Sequence, residues 1–176
     1  SGISAIAYNK LKDYLGLSHR TLVYDVVQQL AQVDDEIISH FDIDALDIGR
    51  SFNDQESDWH RTALADGSEA YYPRWFNPQM QSDGSFIAVD NTGDKLAKMP
   101  VGGTFFDQIY YPYLDGYPEN FDNLPADMGK VMWAAFVHSP WDNAYKEDFW
   151  QQLRARTLRL REESDAALVV VCGCNL

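Results

Sequence analysis

Cationic side chains and cysteines are scarce in this sequence of 176 residues. It has 14 Lys and Arg against 27 Asp and Glu, which gives a formal net charge of −13. A chain this acidic is repelled by phosphate backbones, so nucleic acid is not an expected partner. The two cysteines, Cys172 and Cys174, cannot build a disulfide framework. Their scarcity favours a reducing, cytoplasmic setting.

Long apolar runs are absent as well. No stretch approaches the roughly 18–20 apolar residues that a membrane-spanning helix needs, so a membrane is not an expected partner. No signal peptide, phosphate loop, nucleophile elbow or dinucleotide fingerprint is visible. The chain is nevertheless 45% hydrophobic and 14% aromatic, a composition that predicts a folded protein.

Hydrophobic periodicity predicts a mixed α/β chain. Apolar residues at helical spacing predict helices at residues 4–15, 22–41 with a break or kink near Val33, 126–137 and 143–163. Short apolar runs predict strands at residues 45–48, 69–72, 85–89 and 166–172. Gly16 is expected to end the first helix. The aromatic-rich region 67–106, with turn signals at 83–84 and 91–94, predicts a β-hairpin or small meander.

The last predicted strand is almost wholly apolar, which is typical of a strand buried on both faces of a parallel sheet. The sequence offers only one other candidate for such a sheet, the strand at residues 45–48. Two strands do not form a sheet large enough to bury both faces of a central strand. We therefore expect this chain to be part of a larger α/β protein that extends beyond both of its ends.

Four stretches of the chain follow one another in a distinctive order, at residues 7–17, 26–36, 41–49 and 169–174. They resemble the uroporphyrinogen decarboxylase superfamily, and within it the branch of cobalamin- and corrinoid-dependent methyltransferases. Proteins of this superfamily are (β/α)8 barrels, and such a barrel usually needs about 250 residues. The resemblance implies that residues 1–176 are one incomplete domain, the early and middle portion of a TIM barrel. Residues 67–106 would form an aromatic-rich β insertion.

The active site of such a barrel lies at the carboxyl ends of its strands. The resemblance therefore points to the residues that follow two predicted strands, which are Asp47, Arg50, Ser51, Cys172, Cys174 and Asn175. Ser51 stands where the decarboxylases carry an Asp that holds the pyrrole nitrogens, which argues against decarboxylation. Arg50 could bind an anionic group, or it could be an ordinary ion-paired side chain.

Three further features leave alternatives open. The cysteines Cys172 and Cys174 either line the pocket or are small apolar core residues. His60 beside Trp59 is either a site histidine or a surface-loop histidine. The aromatic side chains of the middle region either stack on a ligand or partner protein, or form the core of the insertion. They are Tyr71, Tyr72, Trp75, Phe76, Phe105, Phe106, Tyr110, Tyr111, Tyr113 and Tyr117.

The resemblance implies a methyltransferase that moves a methyl group between a small substrate or thiol and a corrinoid (cobalamin) carrier. It also implies zinc, with ligands outside this chain, so that the chain by itself would be inactive. The expected partners are a corrinoid protein or the remaining part of the same polypeptide, and a small-molecule methyl donor or acceptor. Two alternatives stay open: a porphyrinogen-type decarboxylase, and a non-catalytic binding module that uses the aromatic hairpin.

Overall fold

The structure is a computed structural model that describes residues 2–18, 20–49, 53, 55–138 and 140–170. Within these ranges the protein is mixed α/β, with five α-helices and several small sheets, none of which closes into a barrel. The chain divides into two compact units. The first comprises Ser1–Gln32 and Ser57–Val137, and the second comprises Val33–Glu56 and His138–Leu176.

The helices and strands are short. In chain order they are β1 (Ile3–Ser4), α1 (Ala5–Leu15), β2 (Val23–Asp25), β3 (Leu30–Ala31), α2 (Asp35–His40), β4 (Ala45–Asp47), β5 (Trp59–Ala63), β6 (Glu69–Pro73), β7 (Gln79–Met80), β8 (Phe86–Val89), β9 (Lys95–Met99), β10 (Asp107–Gln108), α3 (Leu124–Gly129), α4 (Met132–Phe136), α5 (Phe149–Glu163) and β11 (Ala167–Val169). None of the described helices has the length and apolar composition needed to cross a membrane.

Helix α1 confirms the first predicted helix and its end. The side chain of Ser4 accepts a hydrogen bond from the backbone N–H of Ala7, which caps the amino terminus. Gly16 ends the helix in the left-handed conformation, with a φ of 71° that costs glycine little. Ala5 and Tyr8 are fully buried, so this helix packs one face into the first unit.

The helix predicted at residues 22–41 is wrong. Strands β2 and β3 occupy its first half and form a three-stranded antiparallel sheet with β1, in the order β1-β3-β2. The buried Asp25 explains the turn between them, because one of its carboxylate oxygens accepts hydrogen bonds from the N–H groups of Val27 and Gln28 at 3.0 and 2.9 Å. An Asp that captures nearby backbone donors competes with helix formation. Only the short helix α2 remains of the prediction.

The aromatic region forms antiparallel sheets, as predicted. Strands β7 to β10 make a four-stranded meander in which consecutive strands are neighbours, and β5 pairs with β6 as a hairpin. The predicted strands at 69–72 and 85–89 are confirmed as β6 and β8. Strand β5 was not predicted, although Asp66-Gly67 is a hairpin signal: Gly67 has a φ of 81°.

The core of the first unit is built around the ring of Phe76, which is 2% exposed. Its ring meets four others edge to face, with centroid distances of 5.2 to 5.8 Å; these are Tyr72, Trp75, Phe106 and Phe136. Edge-to-face contacts are a preferred arrangement of aromatic rings. The burial of Tyr72, Phe76 and Phe106 supports the core interpretation for these three side chains, whereas Trp75 is 44% exposed.

The second unit contains the one parallel strand pair of the described residues. Ala45, Leu46 and Asp47 of β4 lie opposite Ala167, Leu168 and Val169 of β11. The two strands predicted as candidates for a parallel sheet are thus confirmed as neighbours. Beside them, Ile48, Phe149 and Leu153 form a small buried cluster.

The expectation that the last strand is buried on both faces is wrong within the described residues. Val169 is 45% exposed and the following Val170 is 48% exposed. The sheet has two strands only, in the order β11-β4. A two-stranded sheet packed on a small cluster cannot cover both faces of an apolar strand.

Two predicted helices begin or break at different residues. The helix predicted at 126–137 is divided into α3 and α4, because Val131 is extended with a ψ of 134°. The helix predicted at 143–163 begins only at Phe149. Ahead of it, Trp141 packs against Phe149 with a ring centroid distance of 5.6 Å, and a short 3₁₀ turn at Pro140–Asn143 replaces the first helical turn.

Candidate functional site

The carboxyl ends of β4 and β11 lie at the same edge of their sheet because the two strands are parallel. Asp47 is the last residue of β4 and is partly buried. One of its carboxylate oxygens accepts a hydrogen bond from the N–H of Gly49 at 2.9 Å, and the N–H of Ile48 donates to the carbonyl of Val169 at 3.0 Å. Asp47 therefore shapes the turn that leaves the strand.

The other pocket residues predicted at this edge lie outside the described residues. They are Arg50, Ser51, Cys172, Cys174 and Asn175. Of this group the structure places Asp47 alone, so their convergence on one site stays a prediction.

His60 lies on strand β5, so the expectation of a loop histidine is wrong. Its ring is partly buried and meets Tyr72 edge to face at a centroid distance of 6.3 Å. Burial, together with the positive charge of Arg74, lowers the pKa of His60 below its usual value of 6.5. The imidazole is consequently neutral at pH 7 and offers one nitrogen as a hydrogen-bond acceptor.

A cleft of about 100 Å³ opens beside His60. Its walls are polar and apolar in equal measure, with Thr62 and Asn77 as well as Phe86 and Met99 among the lining residues. Tyr72 also lines it, and its buried hydroxyl donates to the side-chain oxygen of Gln29 at 2.5 Å. Burial raises the pKa of Tyr72 to about 12, so the hydroxyl stays protonated. The cleft has room for a few waters or a very small molecule.

A larger groove, of about 420 Å³, lies elsewhere in the first unit. Three segments that are distant in sequence line it: the turn between β2 and β3, strand β10 with the residues before it, and the start of α4. The lining residues are Val27, Gln28, Leu30, Phe105, Phe106, Asp107, Gln108, Met132 and Trp133. We refer to it as the Phe105–Trp133 groove. It is within the size range of small-molecule sites.

At the Phe105–Trp133 groove, neighbouring aromatic residues fit different interpretations: one is a core side chain and the other is exposed and available to a ligand or partner. Phe106 is 3% exposed and belongs to the core, whereas its neighbour Phe105 is 54% exposed. Trp133, which was not among the predicted aromatic residues, is 39% exposed on the opposite wall. Only Phe105-Phe106 gave a sequence signal, because no local pattern shows that residues 27–30, 105–108 and 132–133 converge.

The other aromatic side chains of the region are also divided. Tyr111 and Tyr117 are 52% and 84% exposed, and they do not line the groove. Tyr113 packs against Tyr117 and Phe121, at centroid distances of 6.0 and 6.1 Å. These side chains form a surface cluster of their own.

Metal ligands do not converge in the part of the chain that the structure describes. Among these residues no group of three or more His, Cys, Asp and Glu side chains could hold a metal ion. Neither the cleft beside His60 nor the Phe105–Trp133 groove contains a second histidine or a cysteine. The resemblance places the zinc ligands outside this chain, so the described residues do not test that prediction.

Comparison of the chain with models of protein families, with curated proteins and with solved structures found no match. The resemblance to the uroporphyrinogen decarboxylase superfamily therefore rests only on the sequence stretches named above.

Proposed function

We propose that this chain belongs to a methyltransferase of the uroporphyrinogen decarboxylase superfamily. The enzyme would move a methyl group between a small substrate or thiol and a corrinoid carrier, in the cytoplasm. The observation that carries the proposal is the parallel pairing of β4 with β11, with helix α5 directly before β11. A helix followed by a strand parallel to an earlier strand is the βαβ arrangement from which (β/α)8 barrels, like other parallel α/β sheets, are built.

The exposed apolar residues of this pair support a larger sheet. Val169 and Val170 are each nearly half exposed, although a parallel strand is normally covered on both faces. Further strands and helices of the same polypeptide would cover them. Asp47 would then lie at the carboxyl edge of the completed sheet, where barrel enzymes bind their substrates.

The reacting groups are not assigned to described residues. The resemblance implies zinc and a corrinoid, whose binding residues it places outside this chain, and no cluster among the described residues fits a metal. The role we assign here is to Asp47, which holds the turn after β4 and presents negative charge at that edge.

A porphyrinogen-type decarboxylase is the alternative within the superfamily. It would use an Asp where this sequence has Ser51. Ser51 lies outside the described residues, so the comparison is one of sequence only. The two activities differ in their products, a methylated thiol or carbon dioxide.

The proposal can be tested with the full polypeptide that carries this chain. The purified protein is incubated with methylcobalamin and a thiol, and the methyl thioether is quantified by mass spectrometry. A parallel incubation with a porphyrinogen measures release of carbon dioxide. We expect thioether and no carbon dioxide. Carbon dioxide alone would favour the decarboxylase. If neither product forms, the non-catalytic binding module becomes the better interpretation.

Variants of Asp47 connect this test to the structure. In Asp47→Asn the side-chain oxygen that accepts from Gly49 remains, so the turn is retained and only the charge is lost. We expect a fall in methyl transfer of about tenfold, the effect of losing roughly 1.4 kcal/mol of transition-state stabilisation. Asp44→Asn is the matched control, because Asp44 is an exposed acid just before the same strand. Equal activity of both variants would remove Asp47 from the site.

A further inference from the structure

The side chains of the Phe105–Trp133 groove combine aromatic faces with a single charge. Phe105 and Trp133 supply two aromatic rings that are 54% and 39% exposed, and the largely buried Met132, which also lines the groove, adds a polarisable thioether. Asp107 is the only ionisable side chain among the lining residues, and none of them is cationic. Aromatic rings attract cations through the negative potential of their faces, and a carboxylate adds a direct charge interaction.

The carboxylate of Asp107 is not matched by the lysine opposite to it. Asp107 faces Lys98 in the register of β10 with β9. The ammonium of Lys98, however, lies 3.8 Å from a carboxylate oxygen of Asp83, and among the described residues it forms no ion pair with Asp107. The net negative charge of the groove is thus preserved.

The chain around the groove has the same sign of charge. Between residues 102 and 129 the sequence contains no Lys or Arg, and the next cation, Lys130, is paired with the carboxylate of Asp94. The acids of that segment are Asp107, Asp115, Glu119, Asp122 and Asp127. A field of one sign raises the local concentration of oppositely charged ligands.

The walls of the groove are held in place by hydrogen bonds. The N–H of Phe106 donates to the carbonyl of Val27 at 2.9 Å and joins two of the three lining segments. The turn that carries Val27 and Gln28 is fixed in turn by the carboxylate of the buried Asp25. A preformed site loses less conformational entropy when its ligand binds.

We propose that the Phe105–Trp133 groove binds a small organic cation whose nitrogen carries alkyl groups, such as a quaternary ammonium compound. The alkyl groups contact the rings of Phe105 and Trp133 and the thioether of Met132, and the charge lies toward Asp107. Such a cation is only weakly hydrated, so it enters an aromatic groove at a lower cost than a bare ammonium ion does. This site is in the first unit and its ligand binding does not depend on the methyl transfer proposed above.

The test compares choline with its uncharged isostere 3,3-dimethyl-1-butanol. The two molecules have the same shape and differ in charge, so the comparison isolates the electrostatic contribution. Isothermal titration calorimetry of the protein against each compound gives the two dissociation constants. We expect choline to bind at least about tenfold more tightly, which corresponds to one cation–π contact and a carboxylate. Equal affinity for both compounds, or no binding of choline at millimolar concentration, would overturn the proposal.

Variants locate the binding in the groove. Trp133→Leu removes the ring face but keeps an apolar side chain, and Asp107→Asn removes the charge but keeps the shape. We expect each to weaken choline binding by about fivefold or more. Trp133→Phe should have an affinity between those of the unchanged protein and Trp133→Leu. Asp115→Asn and Tyr117→Leu are the controls, since both residues are exposed and neither lines the groove.

If Trp133→Leu fails to fold, a second variant of the groove tests the proposal. Phe105→Leu changes the other exposed ring, which is 54% exposed and thus tolerant of substitution. Circular dichroism establishes that each variant is folded before its affinity is measured. If the folded variants of Phe105 and Asp107 bind choline as the unchanged protein does, the cation binds elsewhere and the proposal is wrong.

Discussion

The two units of this protein use opposite kinds of β-sheet, and they differ in how completely those sheets are covered. In the antiparallel meander of the first unit, Ala88, Leu96 and Ala97 are at most 1% exposed. In the parallel pair of the second unit, Val169 is 45% exposed. Antiparallel neighbours are joined by short turns, whereas parallel strands need a long connection and cover on both faces. The first unit finds its neighbours within a short segment of chain, and the second does not.

The largest expected effect comes from the aromatic core of the first unit. Phe76→Ala removes a ring that contacts four others, so we expect a loss of about 3–5 kcal/mol in the free energy of unfolding. Urea denaturation measures it. Tyr14→Ala is the control, because Tyr14 is 84% exposed in the same unit, lies outside this ring cluster and should cost much less. Similar losses for both would show that the ring cluster is not the stabilising element.

A smaller effect is expected from the core of the second unit. Leu153→Ala opens a cavity in the cluster with Ile48 and Phe149. We expect the free energy of unfolding to fall by about 2–3 kcal/mol, because Leu153 packs in a small cluster with few buried neighbours. Leu158→Ala in the same helix provides a matched control, since Leu158 is 52% exposed. Urea denaturation compares the two. A larger loss for Leu153→Ala than for Phe76→Ala would reverse the comparison between the units.

Tyr72 gives the first unit a dependence on alkaline pH. Its pKa is raised from 10.0 to about 12 by burial, so the folded protein prefers the protonated hydroxyl. The stability is therefore complete below pH 10 and falls between pH 10 and 12, by about 1.4 kcal/mol for each pH unit. Tyr72→Phe should lose this part of the alkaline dependence, and it should also destabilise the protein by about 1 kcal/mol because Gln29 loses its donor. Denaturation at pH 8 to 11 tests both effects.

The smallest expected effect is on His60. Its pKa is lowered by burial and then by Arg74, so protonation disfavours the folded state. The stability that the neutral ring provides is present above pH 6.5 and is lost as the pH falls through the lowered pKa. Arg74→Gln should raise the pKa of His60 only part of the way to 6.5, because burial remains. An NMR titration of the ring proton measures this, and an unchanged pKa would show that Arg74 has no influence.

Local signals account for the elements that the sequence predicted correctly. A serine cap and Gly16 bound the first helix, and Asp and Gly mark the turns around β8. The prediction failed at residues 22–41, where the apolar spacing suited a helix. There a single buried Asp25 decided the outcome, because its bonds to two backbone N–H groups favour a turn. Sequence spacing does not report whether an Asp is buried.

The candidate sites show the same limit. The resemblance directed attention to Asp47, and the structure does place it at the carboxyl edge of a parallel pair. His60 drew notice as the neighbour of a tryptophan, but its strand position and the cleft beside it arise from pairing with Tyr72. The Phe105–Trp133 groove could not be predicted, since its three walls meet only in the folded chain.

Composition and local pattern by themselves determined that this is an acidic, mixed α/β chain with an antiparallel aromatic region. They also indicated that the short apolar segments at residues 45–48 and 166–172 are strands of a parallel sheet, and β4 and β11 do pair in parallel. The reason is that caps, turns and alternation act over a few residues, which one segment of sequence contains in full. The tertiary structure alone decided which rings are buried around Phe76 and which are exposed at Phe105 and Trp133. Burial depends on segments that are far apart in the sequence, and their packing energies are settled only when the segments meet.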